Sequence, residues 1–546
     1  MKLRLLCSIL ALSLLSLSVP LADQAVAAQG GSSTVKSFFD SANKGKEAPP
    51  KEAPKPETPP KAEVKAETPA PEAPAAPAPA ADNAVAQRAA AELALFSPLA
   101  EIAAENIQTT PDTRSLVYEN VSITVPDLPD FAFRISKIAF DGMDAASFDG
   151  KPGDMTQVEK FSMLGIKLLS GETPMAEMED YTIEGMNFAY RDILKALQEN
   201  KNNPEGAKGI SASLLPLLSQ TTVRLAQMNN LRTDLGIVQA SIERIEGANA
   251  SSLSSGPIFM HNIKVSFQGM QVFSLAKFGY TQITLPENFK EVSQTQDPEL
   301  IQQKMGEVMM DPFGTLDKLA IKGLLLDKLE ANVPGTMPVA LSQFVCDLLV
   351  ENKAVSLTGK IQDLALAMSK FQDPGGLGIL LEAVGNQDLL LSMDVAATCT
   401  AEMVVSLKTS LSEQAKGSLS LDAVYAQAAG STGLIRSAEL KADNKGILDL
   451  VLGAVALSME AEGSYKDFLP GVVGGIQSAK AMFTDPKLAE AVDGAAQLIQ
   501  NGGTFRFALN PTEPIDIDQL GGLIGQNPAP LGHEVSYTAP ATPIAR

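Results

Sequence analysis

Ten consecutive odd-numbered positions from Leu389 to Leu407 are apolar: Leu389, Leu391, Met393, Val395, Ala397, Cys399, Ala401, Met403, Val405 and Leu407. The even positions between them are mostly Ser, Asp, Thr and Glu, with Leu390, Ala396 and Val404 as the exceptions. No Gly, Pro or Asn interrupts the stretch between Gln387 and Lys416. Successive side chains of a β-strand point to opposite faces, so this pattern gives one greasy face and one wet face. A parallel sheet buried on both sides reads as a continuous apolar run; strict alternation marks an antiparallel sheet with one solvated side. The stretch is either one strand about 60–65 Å long at 3.2–3.4 Å per residue, or two strands joined by a tight turn at Thr398-Cys399-Thr400. Val355 to Met368 and Leu419 to Tyr425 supply neighbours for it.

Alternation also opens the folded region. Val117, Val121, Ile123 and Val125, then Phe131, Phe133 and Ile135 after the Pro126 and Pro129 turn signals, read as strands. A short apolar–Gly–apolar element recurs at 137–144, 181–188, 242–249, 263–272 and 319–326, each a strand that ends or bulges at its glycine. Its irregular spacing excludes a strict solenoid and suits successive strands of one meander. Helical spacing is expected in the Ala-rich segment Val85 to Ile107 and across Ile210, Leu214, Leu217, Leu225, Met228 and Leu235. Shorter helices are expected at 298–310 and 338–350. Towards the end, 447–459 is apolar nearly all round and reads as a buried helix, 469–498 as one or two helices, and 517–524 as a short one. Thr504 to Leu509 and His533 to Thr538 are further strands. The fold class expected is α+β: an extended, twisted antiparallel sheet with packed helices, in a region 84–335 and a region 336–546.

The N-terminus reads as an address. Lys2 and Arg4 precede an apolar run from Leu5 to Val19, too short to cross a bilayer comfortably, and Ala25-Val26-Ala27 offers a cleavage site. Residues 1–27 are therefore expected to be a secretory signal peptide, cleaved after Ala27 or Ala28; the rival is an uncleaved inner-membrane anchor. Residues 28–83 are a Pro/Ala/Lys/Glu-rich linker, too poor in apolar mass to offset its ordering entropy and inclined to polyproline II. The leader thus reads as disordered and the protein as periplasmic, with no transmembrane span in the mature chain. The formal net charge of −21 argues against nucleic acid, which attracts clustered Lys and Arg. With no Trp and seven Tyr, base-stacking platforms are also excluded.

Chemistry is sparse. Besides Cys7 in the leader, the chain holds Cys346 and Cys399. An even count in an oxidising compartment suggests a Cys346–Cys399 disulfide, pinning the end of the 338–350 helix to the sheet; two buried free thiols are the alternative. The two histidines, His261 and His533, each begin a strand and read as structural. No zinc, serine-hydrolase or nucleotide-loop motif occurs. Asp141, Asp144, Asp149 and Asp154 do not follow calcium-loop spacing and read as an acidic surface turn. No catalytic residue, cofactor or metal ligand is expected.

The signal peptide, the long alternating strands, the strand–Gly–apolar elements and the closing GGTFRFALNPTEPIDIDQLGGLIGQNPAPLGHEVSYTA (502–539) together resemble large exported bacterial proteins of the AsmA-like and YdgA-like kind, over about residues 115–540. The resemblance implies a long twisted β-groove and an envelope role, in some members linked to lipid transport or outer-membrane integrity. It brings no catalytic residues. The function expected is a non-enzymatic envelope protein that shelters a lipid or other apolar ligand along its sheet; the alternative is a structural or protein-interaction module with an envelope partner and no ligand.

Overall fold

A computed structural model describes residues 80–96, 100–110, 114–125, 128–143, 151–200, 214, 217–218, 220–251, 254–289, 298–334, 336–368, 383, 388–402, 404–428, 433–458, 464–541 and 544. The expected signal peptide and nearly all of the expected linker lie outside these residues. The chain begins with α1 (Ala80–Leu93) and two edge strands, β1 (Glu101–Ala103) and β2 (Asn106–Thr110). Four long strands follow, β3 (Ser115–Val125), β4 (Leu128–Asp141), β5 (Thr156–Ser170) and β6 (Thr173–Phe188), then α2 (Tyr190–Asn200). Next come β7 (Val223–Asp234), β8 (Val238–Ala250), the two-residue β9 (Ser254–Ser255), β10 (Ile258–Phe267), β11 (Met270–Tyr280) and the short β12 (Gln282–Thr284). After α3 (Pro298–Met310) and α4 (Pro312–Thr315) the strands resume: β13 (Ala320–Ala331), β14 (Val339–Glu351), β15 (Ala354–Leu366), β16 (Leu389–Thr400), β17 (Val404–Glu413), β18 (Gly417–Gln427) and β19 (Leu434–Asn444). The end is helical and capped by strands: α5 (Leu448–Ser458), α6 (Tyr465–Ala479), α7 (Pro486–Asn501), β20 (Gly503–Leu509), β21 (Ile515–Asp516), α8 (Ile517–Gln526) and β22 (His533–Thr538).

Every strand pairing is antiparallel, and the long strands pair in chain order, from β3 through β20 to β22. The expected antiparallel meander is thus a single continuous sheet. It runs without a break through the β13–β14 hairpin, where Ala331 faces Val339 on either side of residue 335. Opposed residues form one apolar row across fourteen strands: Tyr118, Ile138, Met163, Tyr181, Met228, Ile245, Met260, Phe278, Leu326, Phe344, Ile361, Met393, Leu411 and Leu419. At a strand spacing of about 4.8 Å the row is on the order of 60 Å long.

A second feature runs beside that row. On eleven successive long strands, β3 to β15, the period-two pattern is interrupted once by an apolar–x–x–apolar step. Examples are Tyr118/Val121, Met163/Ile166, Met228/Leu231, Met260/Ile263, Leu326/Leu329 and Ile361/Leu364. Strict alternation would send the two apolar residues to opposite faces. Instead Tyr118 and Val121, and likewise Met163 and Ile166, enter the same core. The intervening Leu164 is 41% exposed on the other side. The backbone manages this with a left-handed residue on every second strand: Asn120 (φ 52°), Gly165 (φ 61°), Asn230 (φ 52°), Asn262 (φ 51°), Lys328 (φ 52°) and Asp363 (φ 50°). These occupy matching register positions and form a crease along the sheet. Five of the six are Asn, Asp or Gly, the types that tolerate positive φ best, and Lys328 is the exception. On the wet side the crease is laced by side chains: Asn120 donates to Glu105 (2.8 Å), Asn230 to Glu179, and Asn262 to Glu243 (2.6 Å).

The crease accounts for several departures from the sequence reading. Segment 338–350 is not a helix but strand β14, whose Leu341/Phe344 step mimics helical i, i+3 spacing. The helix expected across 210–235 is present at Leu214, Leu217 and Leu218 but gives way from Val223 to β7, where the step is Met228/Leu231. The Ala-rich helix stops at Leu93, passes through a short 3-10 turn (Ala94–Phe96), and yields to β1 and β2 rather than continuing to Ile107. Residues 389–407 are two strands, with the turn at Ala401-Glu402. Cys399 pairs with Val405 and Ala397 with Leu407, so odd positions face odd positions and the alternation continues through the turn that it hides. The Thr400 hydroxyl accepts the Val404 N–H (3.2 Å), which supplies the turn without Gly or Asn. Neighbours β15 and β18, the helix at 298–310 and the helical and strand segments from 447 to 538 agree with expectation.

The cysteines do not pair. Cys346 lies on β14 and Cys399 on β16, with β15 between them, and both thiols are free. Two strand spacings alone separate them by about 9.6 Å, beyond the roughly 7 Å that a disulfide spans. The expectation rested on an even cysteine count, which carries no register, and β15 between the two strands keeps the thiols apart.

Candidate functional site

The apolar face is unevenly covered. Towards its N-terminal end, Tyr118, Met163, Tyr181 and Met228 of the long row are buried, in a core that includes Ala89 of α1. Towards its C-terminal end, Leu389 and Leu419 are buried with Ile447 and Leu450 of the α5 segment, and Phe505 and Ala442 with Leu498 of α7. Between these ends the row from Ile245 on β8 to Leu411 on β17 is half-buried on all eight strands. The result is a trough about 34 Å long, floored by Ile, Met, Phe and Leu. The methionines Met260 and Met393 give it an adaptable surface.

The trough widens beyond the crease. On its far side runs a parallel row that includes Ile242, Ile263, Leu329, Leu341 and Leu364, also half-buried. At the other margin a shallow hollow of about 350 Å³ is lined by Val405, Leu407, Ala423, Tyr425, Leu440 and Phe507. Leu357, Leu407 and Leu440, which share one register line, are 38%, 39% and 40% exposed. Large apolar side chains in a connected band at that exposure form a surface that a soluble protein normally covers. Cys346 and Cys399 face the same side, and burial together with the neighbouring Asp347 raises the Cys346 thiol pKa.

The opposite face is polar. Charges alternate in sign from strand to strand: Asp347 on β14, Lys360, Asp394, Lys408, Asp422, then Lys441 on β19, around a hollow of about 720 Å³. Lys360 faces Asp394, and Lys408 faces Asp422 with an ion pair at 3.5 Å. Opposite charges directly across strands stabilise one register over its neighbours, so this ladder fixes the alignment of β14 to β19.

Each histidine has a carboxylate partner and a structural setting. His261 Nε2 is 3.1 Å from Glu246 on the polar face. His533 is buried, with Nε2 3.1 Å from Asp485. Asp485 caps α7 by accepting the N–H groups of Lys487 and Leu488. Burial opposes its charge, yet these donors and His533 together hold its carboxyl below the usual range. Among the described residues no group of His, Cys, Asp or Glu is arranged to hold a metal. Asp141 and Asp154 of the expected acidic turn are engaged locally, accepting the Ser115 hydroxyl (2.6 Å) and the Lys151 N–H (2.9 Å); Asp144 and Asp149 lie outside the described residues.

The apolar–x–x–apolar step was available in the sequence and is the signal that locates the trough: it marks both rows beside the crease. A family model described as an uncharacterized protein matches residues 381–542, the stretch from β16 to β22 together with α5 to α8. No curated protein matches the chain.

Proposed function

We propose that this is a non-enzymatic, exported envelope protein that shelters a lipid or other apolar molecule along the creased face of its sheet. The observation that carries the reading is the eight-strand band of half-buried Ile, Met, Phe and Leu side chains, bounded by buried ends. Fully burying such a side chain is worth about 1.5–3 kcal/mol, so completing the burial of eight half-covered ones offers on the order of 8 kcal/mol. Association costs of at least about 4 kcal/mol come off that figure, so a single acyl chain is held reversibly rather than permanently. Both wet-face charges and histidines are accounted for by structural roles, which leaves the apolar band as the surface without a purpose in folding. The signal peptide at 1–27, with release of a periplasmic protein, belongs to the same reading.

Protein purified without detergent from its native compartment, extracted and analysed by mass spectrometry, should carry lipid in reproducible proportion. Repeated absence of co-purifying lipid, together with no binding of a fluorescent long-chain fatty acid, refutes the proposal and favours a structural or partner-binding module.

A further inference from the structure

We infer that three neighbouring hairpin tips along the open margin of the trough form a docking edge for a zwitterionic lipid bilayer. The inference deepens the ligand-sheltering reading by giving an acyl chain its route of entry, while the docking itself rests on separate observations. The tips are the turns that join β7 to β8, β10 to β11 and β13 to β14. They present Leu235 (56% exposed), Ile237 (50%), Met270 (55%) and Val333 (45%). Turns of this kind ordinarily carry Gly, Asn, Asp and Ser rather than large apolar side chains. The tips stand side by side: the Gln268 N–H donates to the Ile237 carbonyl and the Asn332 N–H to the Val272 carbonyl, both at 2.8 Å. Their six strands pair in succession, so the apolar edge runs for about 24 Å.

The same edge is closed on either side. Towards β4 and β5, Phe133 and Leu168 pack with Ala100. Towards β15 and β16, Met337 joins the core of Met368, Leu389 and Ile447. Only between these covers do the tips stay exposed, and there they continue the floor of the trough. From its row of Ile242, Ile263 and Leu329, the next opposed residues outward are Ala240, Val265, Phe273 and Ala331, all half-buried.

The distribution of charge matches a bilayer. Residues 235–242, 265–276 and 331–346 contain no Asp, Glu, Lys or Arg, in a chain of which 20% is charged. Three uncharged hairpin ends side by side suit insertion to the boundary between headgroups and acyl chains. Behind them stand exposed charges of both signs, Arg232 and Lys264 with Asp234, Glu243 and Glu330, at the level headgroups would occupy. Without a basic excess, attraction to anionic lipid does not hold the edge. Asp234, the nearest charge, is engaged within its own turn, accepting the Gly236 N–H (2.8 Å) and the Gln239 amide (3.1 Å). The apolar side chains stand singly on separate turns rather than around a groove, an arrangement that a fluid acyl layer accommodates without a matching shape.

The chain has no Trp, so one placed at a tip is a unique reporter. Met270→Trp protein is mixed with phosphatidylcholine vesicles; Met482→Trp, at a position 73% exposed beyond α6, is the control. Emission of the Met270→Trp reporter should shift to the blue and be quenched by lipid brominated on its acyl chains, while the control does neither. Adding Ile237→Asp and Val333→Asp should lower partitioning at least about 10-fold, and including about one-third phosphatidylglycerol should change it less than about 2-fold. Unchanged far-UV circular dichroism verifies the fold; should the combined variant misfold, Leu235→Asp with the reporter decides. An unshifted reporter, an equal shift in the control, or binding that requires anionic lipid overturns the docking edge. So does a shift that depends on protein concentration without vesicles, which would assign the tips to a second copy of the chain. A fluorescent long-chain fatty acid bound from solution without vesicle docking defeats the edge and spares the ligand reading; docking without fatty-acid uptake does the reverse.

Discussion

Replacing Gly165 by Ala tests whether the crease is a required backbone feature. Gly165 sits at φ +61°, where a side chain of L chirality costs about 1–2 kcal/mol. An added Cβ would also come within 2.5 Å of Ser136 Oγ on the neighbouring strand. The hydroxyl must rotate away, and its 3.5 Å contact with the Gly165 carbonyl is a weak one to lose. Together these give a destabilisation of about 2 kcal/mol, of which the conformational part is intrinsic and the steric part belongs to Ser136. Removing the hydroxyl separates them. Gly165→Ala combined with Ser136→Ala should recover about 0.5–1 kcal/mol relative to the sum of the single changes, a coupling typical of residues in contact. Urea unfolding followed by far-UV circular dichroism, with exchange protection of β4 and β5 as the local readout, measures both. A Gly165→Ala protein as stable as wild type, or no coupling to Ser136, would show that the crease does not hold this strand in the left-handed region.

Further outcomes follow from the same structure. Lys328→Asn places the residue found at three other crease positions where a lysine now has φ 52°, and should stabilise by about 0.5–1 kcal/mol, whereas Lys328→Val, β-branched, should cost more than about 1.5 kcal/mol; urea midpoints distinguish them. Leu407→Lys, at a position 39% exposed, should change stability by less than about 1 kcal/mol yet weaken fatty-acid binding at least 5-fold by titration. Peptide mapping under non-reducing conditions should recover Cys346 and Cys399 as separate alkylated thiols; a linked pair would contradict the strand assignment. The folded-state pKa of Asp485 is depressed, so its contribution to capping α7 is fully present above the ordinary aspartate pKa and is lost as pH falls through the lower folded value. Exchange protection of α7 should therefore decline in that acid window in wild type and show no such decline in Asp485→Ala.

Alternation at 389–407 was sufficient to read an antiparallel sheet with one wet side, because β16 and β17 lie beyond the crease and keep strict period two. Where the crease crosses a strand, one skipped residue converts period two into an i, i+3 step, and the segments that hold Leu341/Phe344 and Met228/Leu231 were read as helix. The glycine-containing elements were visible for a related reason: Gly185 and Gly323 also adopt positive φ within β6 and β13. Asn, Lys and Asp do the same work at most crease positions without a glycine to flag it. The trough was legible only in its C-terminal part, since its length depends on long-range register that pairs Met260 with Phe278 and Phe344 with Ile361. The ion pair of Glu92 with Arg191 was not legible at all: the two are ninety-nine residues apart and meet only through the fold.

Photocrosslinking with a diazirine-bearing long-chain fatty acid, followed by peptide mapping, tests the central claim most directly. The trough predicts adducts on the half-buried apolar row of β10 to β17, at Met260, Phe278, Phe344 and Met393, competed away by unlabelled fatty acid. Adducts confined to the polar face around Lys360 and Lys441, or scattered without competition, would contradict it.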